Sequence, residues 1–393
     1  MISRNQIPKR LFAMLSMNSG SREGVTTRSG VRRPVKFPWT EHGTVRSLFL
    51  PSVALFLIFA CGGEKIDLPQ QPDLDPTTPA VDDTTYLQLS PVWDNASGYD
   101  FNQPTDILVG REPLIYVADT GNDRIVMMDI AGNVIGMSKP IANPVAIAQD
   151  SKLNLLIVSD SNRIFRIDLI AANHDLSSAA VDTVFHEADN PSRRFTGIAP
   201  VLSSSLGRTK IDYYVSATGN RRQDNQILIF PEAFNVRVPN AANLESGGLG
   251  ILSVSNASGI TTLRDFNVDF IFCMVGQNSF KVQWITAGEF GYEARLNPAQ
   301  GSFDLFEPGK FEAPEDVAVD EEGNIFVVDA TNDFLYKFSA IGDELQSFGS
   351  SGSGEKEFRQ PHGVAAFNKT LYVADTGNNR IVRFKLSTDV SRN

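Results

Sequence analysis

The chain repeats itself, and a recurring unit limits the fold more than any single motif does. Gln103-Pro104-Thr105-Asp106-Ile107 leads to Leu114-Ile115-Tyr116-Val117-Ala118-Asp119-Thr120-Gly121-Asn122-Asp123-Arg124. Ala313-Pro314-Glu315-Asp316-Val317 leads to Ile325-Phe326-Val327-Val328-Asp329. Gln360-Pro361-His362-Gly363-Val364 leads to Leu371-Tyr372-Val373-Ala374-Asp375-Thr376-Gly377-Asn378-Asn379-Arg380. Three weaker copies lie between them. Pro144-Val145-Ala146-Ile147 precedes Leu155-Leu156-Ile157-Val158, Thr196-Gly197-Ile198 precedes Tyr213-Tyr214-Val215, and Leu263-Arg264-Asp265-Phe266 precedes Ile271-Phe272-Cys273-Met274. That makes six copies between about residues 86 and 386.

These segments resemble NHL repeats, with Asn122-Asp123-Arg124 and Asn378-Asn379-Arg380 at the triplet that names the family. The resemblance implies a six-bladed β-propeller. The physics of one copy leads the same way. Each has apolar runs of about five residues separated by Gly, Asn, Asp and Pro turns, which is a strand-and-turn pattern. In the Asp-Thr-Gly-Asn turns, Asp119 and Asp375 can accept backbone N–H groups. Such a sheet is apolar on both faces and must bury both against neighbours, which radial stacking achieves. The expected class is all-β. The sixth copy ends after its third strand, near Leu386, while Tyr86-Leu87-Gln88-Leu89-Ser90-Pro91-Val92-Trp93 is a strand with no other home. Pairing the two would close the ring and cover an exposed edge.

Residues 1–60 differ in kind from the rest. They hold nine Lys/Arg and two Asp/Glu, a net +7, so the whole-chain −11 leaves −18 for residues 61–393. An acidic surface repels phosphate backbones, which argues against nucleic acid as a partner. The uncharged run Leu48 to Ala60 is too short to span a bilayer. It fits the apolar core of a signal peptide. Its end, Ile58-Phe59-Ala60-Cys61, resembles the lipobox of bacterial lipoproteins. That resemblance implies cleavage before Cys61, lipidation of its thiol, and a membrane anchor at the cell envelope, in the outer membrane if the cell has one. Two readings of the long segment before Val45 stay open: a start codon placed too far upstream, or a real basic extension. Residues 61–85 carry four prolines and six acids against one lysine, and so read as an extended tether. The propeller is expected over 86–393, as a monomer. Cys273, inside an apolar run, is expected to be an inert buried thiol.

Few residues are candidates for chemistry. Lyases of this fold use several histidines on a central zinc, but only His362 of the four histidines sits at a repeat position, and one His does not make a zinc site. Asp106, Asp265, Glu315 and Asp316 are expected in loops entering the innermost strands, near one mouth of a central channel. Gluconolactonase-like propellers hold calcium with such residues. The alternative is that these acids only cap local turns. The position before the repeat's Asp or Gly reads Thr105, Val145, Thr196, Arg264, Glu315 and His362 around the ring. Such a set can bind a polar ligand or form a closed salt-bridge cluster, and the cluster is the expectation. The functional expectation is a non-catalytic module that binds a protein or glycan partner and needs no cofactor. The rival is a calcium-dependent hydrolase or lactonase acting at the channel mouth. Arg124 and Arg380 are expected to be structural.

Overall fold

The computed structural model describes residues 85–205, 207–239, 241–263, 266–289, 291–295 and 304–390. Cys61, the leader and most of the tether lie outside them. Six antiparallel sheets stand around one axis. Blade 1 comprises Pro104–Val109, Leu114–Asp119, Arg124–Asp129 and Val134–Met137. Blade 2 comprises Pro144–Gln149, Asn154–Ser159, Arg163–Asp168 and Asp182–His186. Blade 3 has three strands, Arg194–Ser205, Arg208–Thr218 and Gln226–Pro231, and a single bridge from Ile229 to Val238 stands where a fourth would run. Blade 4 comprises Ala257–Thr262, Phe270–Met274, Val282–Gly288 and Gly291–Ala294. Blade 5 comprises Pro314–Val319, Ile325–Asp329, Phe334–Phe338 and Glu344–Gly349. Blade 6 comprises Pro361–Phe367, Thr370–Asp375 and Arg380–Leu386, completed by Tyr86–Gln88. The innermost strands contact one another in ring order, the sixth against the first.

The core is six seams, not one centre. Side chains alternate across a strand, so in blade 1 Ile115 and Val117 face blade 6 while Tyr116 and Ala118 face blade 2. The other four seams are built the same way. This is why the second strands hold unbroken apolar runs such as Ile115–Ala118, Leu155–Val158 and Ile325–Val328, buried on both faces. Cys273 sits in one such strand, fully buried, and burial pushes its thiol up from the ordinary value.

The ring closes as the sequence suggests. Tyr86, Leu87 and Gln88 pair antiparallel with Leu386, Lys385 and Phe384. The contact continues to Trp93, whose N–H donates to Ile381 O and whose carbonyl accepts from Ile381 N–H, at 3.1 and 2.9 Å. The fourth blade differs from expectation. Its innermost strand is Ala257–Thr262, ending before Leu263-Arg264-Asp265-Phe266 begins. The repeat position in that blade is therefore Ser258, followed by Gly259. Arg264 and Asp265 lie outside the described residues.

Candidate channel site

The first residues of each innermost strand carry a bulge, which sets one residue out of the ladder at Thr105, Val145, Thr196, Glu315 and His362. In blade 4 the irregularity spans Ser258 and Gly259. A bulge re-aims side chains, and here the re-aimed residues stand around one mouth of a channel of about 900 Å³ lined by all six innermost strands. Asp106, Glu315, Asp316 and His362 all line it. They lie on the strands themselves, not in the loops before them as expected.

Three of the ring's hydroxyls are spent on joining blades. Thr196 Oγ1 donates to Ala257 O of the next blade at 2.8 Å, and Ser258 Oγ donates to Pro314 O at 2.6 Å. Thr105 Oγ1 shares a hydrogen bond with Thr120 Oγ1 at 2.5 Å, and Thr120 donates in turn to Pro144 O of the next blade. Thr376 Oγ1 closes the circuit on Pro104 O at 2.6 Å. The two aspartates that follow the ring position do similar work. Asp106 accepts from its own neighbour Ile107 N–H at 2.7 Å and from Ile147 N–H of blade 2 at 2.6 Å. Asp316 accepts from Val364 N–H of blade 6 at 3.0 Å. These carboxyls cross the seam, an arrangement that neither reading of the sequence, calcium ligand or local turn cap, included. Glycine takes the same place in blades 3, 4 and 6 because the strands approach closely. A Cβ on Gly363 would lie 2.7 Å from Asp106 Cα, and one on Gly259 would lie 2.7 Å from Glu315 O.

Glu315 and His362, on adjacent blades, are left. Among the described residues neither side chain has a hydrogen-bond or ion-pair partner. The expected closed salt-bridge cluster is absent at these two positions, because Ser258 stands where an arginine was expected. Nor do the described residues hold any group of three or more His, Cys, Asp or Glu arranged for a metal.

Burial dominates the electrostatics of the wall. It pushes Asp106 and Glu315 up to about 7, Asp329 adding to the rise at Glu315, and it lifts Asp316 well above the usual carboxylate range. It pulls His362 down. The three acids titrate near 4 in an unfolded chain. Between about pH 4 and 7 the folded chain therefore holds protons that the unfolded chain has released, and stability falls as pH rises through that window. His362, pulled below the ordinary imidazole value of about 6.5, opposes this, as one group against three. The melting temperature is expected to be several degrees higher near pH 6 than near pH 8, with Asp316→Asn shrinking the difference. A flat profile from differential scanning calorimetry would refute this.

The last blade matches the model of the NHL repeat family over residues 358–384. A search of curated proteins finds no significant match. Solved structures of similar fold include a Bacteroides thetaiotaomicron protein of unknown function, 15% identical, with 77% of this chain on 73% of that one and a TM-score of 0.53. An auxiliary nutrient binding protein from the same organism is 11% identical, with 77% of each chain covered and a TM-score of 0.53. A luciferin-regenerating enzyme is 12% identical, with 77% of this chain on 95% of that one and a TM-score of 0.50. At these identities the likeness is one of fold alone. The chain is a six-bladed β-propeller with an NHL repeat in its last blade.

Proposed function

We propose that the chain is a lipid-anchored binding module of the bacterial cell envelope, in the outer membrane where there is one. In this reading Cys61 carries the anchor, residues 62–85 form the tether, and the propeller offers its channel mouth to a ligand, or to a protein or glycan partner, without transforming it. The observation that carries the binding role is the division of labour at the mouth. Among the described residues at the ring positions, every hydroxyl is committed to the blades, and Glu315 and His362 on adjacent blades are the polar side chains left without a partner. A pocket with a few convergent, unspent polar groups is the usual form of a binding site. The fold does not choose between binding and catalysis, since its neighbours include both a nutrient-binding protein and an enzyme. Among the described residues the calcium-dependent hydrolase finds no support. Calcium takes six to eight oxygen ligands, and both oxygens of Asp106 already accept backbone N–H groups.

Two measurements test this reading. Cys61→Ser is expected to move the protein from the membrane to the soluble fraction, and an unchanged distribution would remove the anchor. Native mass spectrometry of the chain released gently from membranes is expected to show a bound species that a Glu315→Gln, His362→Ala double variant lacks. Identical spectra would remove the channel mouth as the binding surface.

A further inference from the structure

The chemistry of the channel wall is one-sided. Apart from the acids, His362 and Arg194, the innermost strands line the channel with uncharged residues, Val, Ile, Leu and Ala together with Thr, Ser and Gln149. Arg194, at the mouth, is held by both oxygens of Asp160 at 2.6 Å. Arg111 follows the end of blade 1's innermost strand, at the opposite mouth. Asp106, Glu315 and Asp316 therefore face the lumen with no unpaired Lys or Arg beside them among the described residues. Resting on the binding role above, we propose that this mouth takes an alkylammonium group, with Glu315 as its counter-ion and the neutral imidazole of His362 as a second acceptor.

Three features favour that class over others. An anion would meet three carboxyls and no free base. A hard metal ion would need several oxygen ligands in one place, and the described residues offer no such group. An ammonium needs only two or three acceptors for its N–H donors, and its alkyl part suits the aliphatic wall. The groups that face Glu315 agree. They are Asp316 on its own strand, Asp329 on the next strand and the buried Cys273 from blade 4, with Asp106 beyond and His362 lining the same channel from blade 6. None is a cation when His362 is neutral, and burial favours its neutral form. A carboxyl that burial holds near neutrality is poised to ionise when a cation arrives. Binding should then release a proton.

The test is calorimetric titration of the full chain with butylamine, butanol and butyrate, which share an alkyl chain and differ in charge. Butylamine alone is expected to bind. Its affinity should fall about tenfold or more between about pH 8 and pH 5.5, as Glu315 is protonated. The binding heat near pH 7 should depend on the buffer, reporting proton release. Glu315→Gln is nearly isosteric, removes no bond within the protein, and should weaken binding about tenfold or more. Glu322→Gln, at an exposed position away from the ring, should not change it. An Ala-Lys-Ala tripeptide separates the sources of the ammonium. Tighter binding than butylamine points to a partner's lysine, and weaker binding points to a free amine. Butylamine binding that Glu315→Gln leaves intact overturns the proposal. Binding of butanol or butyrate in its place also overturns it, while leaving the channel as a ligand site. Silence from all three overturns the proposal as well, and the mass-spectrometric comparison then decides the binding role separately.

Discussion

Removing residues 86–93 is expected to cost the propeller most of its stability. A chain starting at Asp94 should melt far below one starting at Thr85, or should aggregate. The segment does more than add a fourth strand. Tyr86, 1% exposed, enters the seam between blades 5 and 6, where its ring meets Phe326 edge-on at 6.2 Å and lies under the Lys337 ammonium at 5.3 Å. Trp93, also 1% exposed, enters the seam between blades 6 and 1 against Tyr99 and Tyr372, with the Arg383 guanidinium 4.3 Å from its ring. One segment of eight residues thus pins both sides of the last blade. Emptying a buried aromatic site costs roughly 3–5 kcal/mol. Two such losses, about 6–10 kcal/mol, rival the whole stability of an ordinary domain. The freed edge of Arg380–Leu386 would also offer unpaired backbone groups to other chains. Tyr86→Ala and Trp93→Ala should each lower the midpoint of urea unfolding, and the losses should nearly add because the two rings sit in different seams. Equal melting temperatures and monomeric behaviour for the two truncations would show that the closing segment is dispensable.

That closure is legible in the sequence because it follows from counting strands. So are the blades that carry Asp-Thr-Gly-Asn or a Pro at the start of the innermost strand. Blade 4 misleads for a specific reason. Its innermost strand begins Ala257-Ser258-Gly259 where the first, fifth and sixth copies have Pro-x-Asp or Pro-x-Gly, and Asp265, a few residues later, imitates the repeat's aspartate. The signal that marks the true strand is Gly259, which follows the ring position as Gly197 and Gly363 do and where a Cβ would lie 2.7 Å from Glu315 O. The site is half legible. Asp106, Glu315, Asp316 and His362 do reach the channel. Which of them is spent depends on backbone groups of the next blade, such as Ile147 N–H and Val364 N–H, and no single copy supplies those partners. The threonines show the same limit: as residue types they look like a ligand ring, and as donors they are already used.

The second large effect is expected at Asp375, which organises the turn of the last blade. It is fully buried and accepts Arg359 N–H at 2.7 Å, Asn378 Nδ2 at 2.8 Å and Arg380 Nε at 2.7 Å. Arg380 is itself buried and donates from Nη1 to Ser353 O at 2.6 Å and from Nη2 to Glu357 O at 2.8 Å. Blade 1 repeats the arrangement, with Asp119 accepting from Asn102 N–H, Asn122 and Arg124. Burial nevertheless holds the Asp375 carboxyl above the usual range, so the arginine does not fully offset its desolvation. The pair as a whole is therefore a modest source of stability, while breaking it is expensive. Blade 5 separates the two roles. Phe334 stands where the arginine would be, yet Asp329 still accepts from Glu312, Ala313, Thr331 and Asn332 N–H groups. The aspartate, not the arginine, is what the turn requires. Asp375→Ala strands a buried guanidinium and two backbone or amide donors, and should cost about 3–5 kcal/mol, roughly 6–12 °C in melting temperature. Asp375→Asn keeps acceptors for the backbone and should lose less. Adding Arg380→Met to Asp375→Ala should recover part of the loss, because it removes the stranded charge. A double variant less stable than Asp375→Ala alone would mean that Arg380's bonds to Ser353 and Glu357 outweigh its burial, and that the stranded charge is not the main cost of losing Asp375.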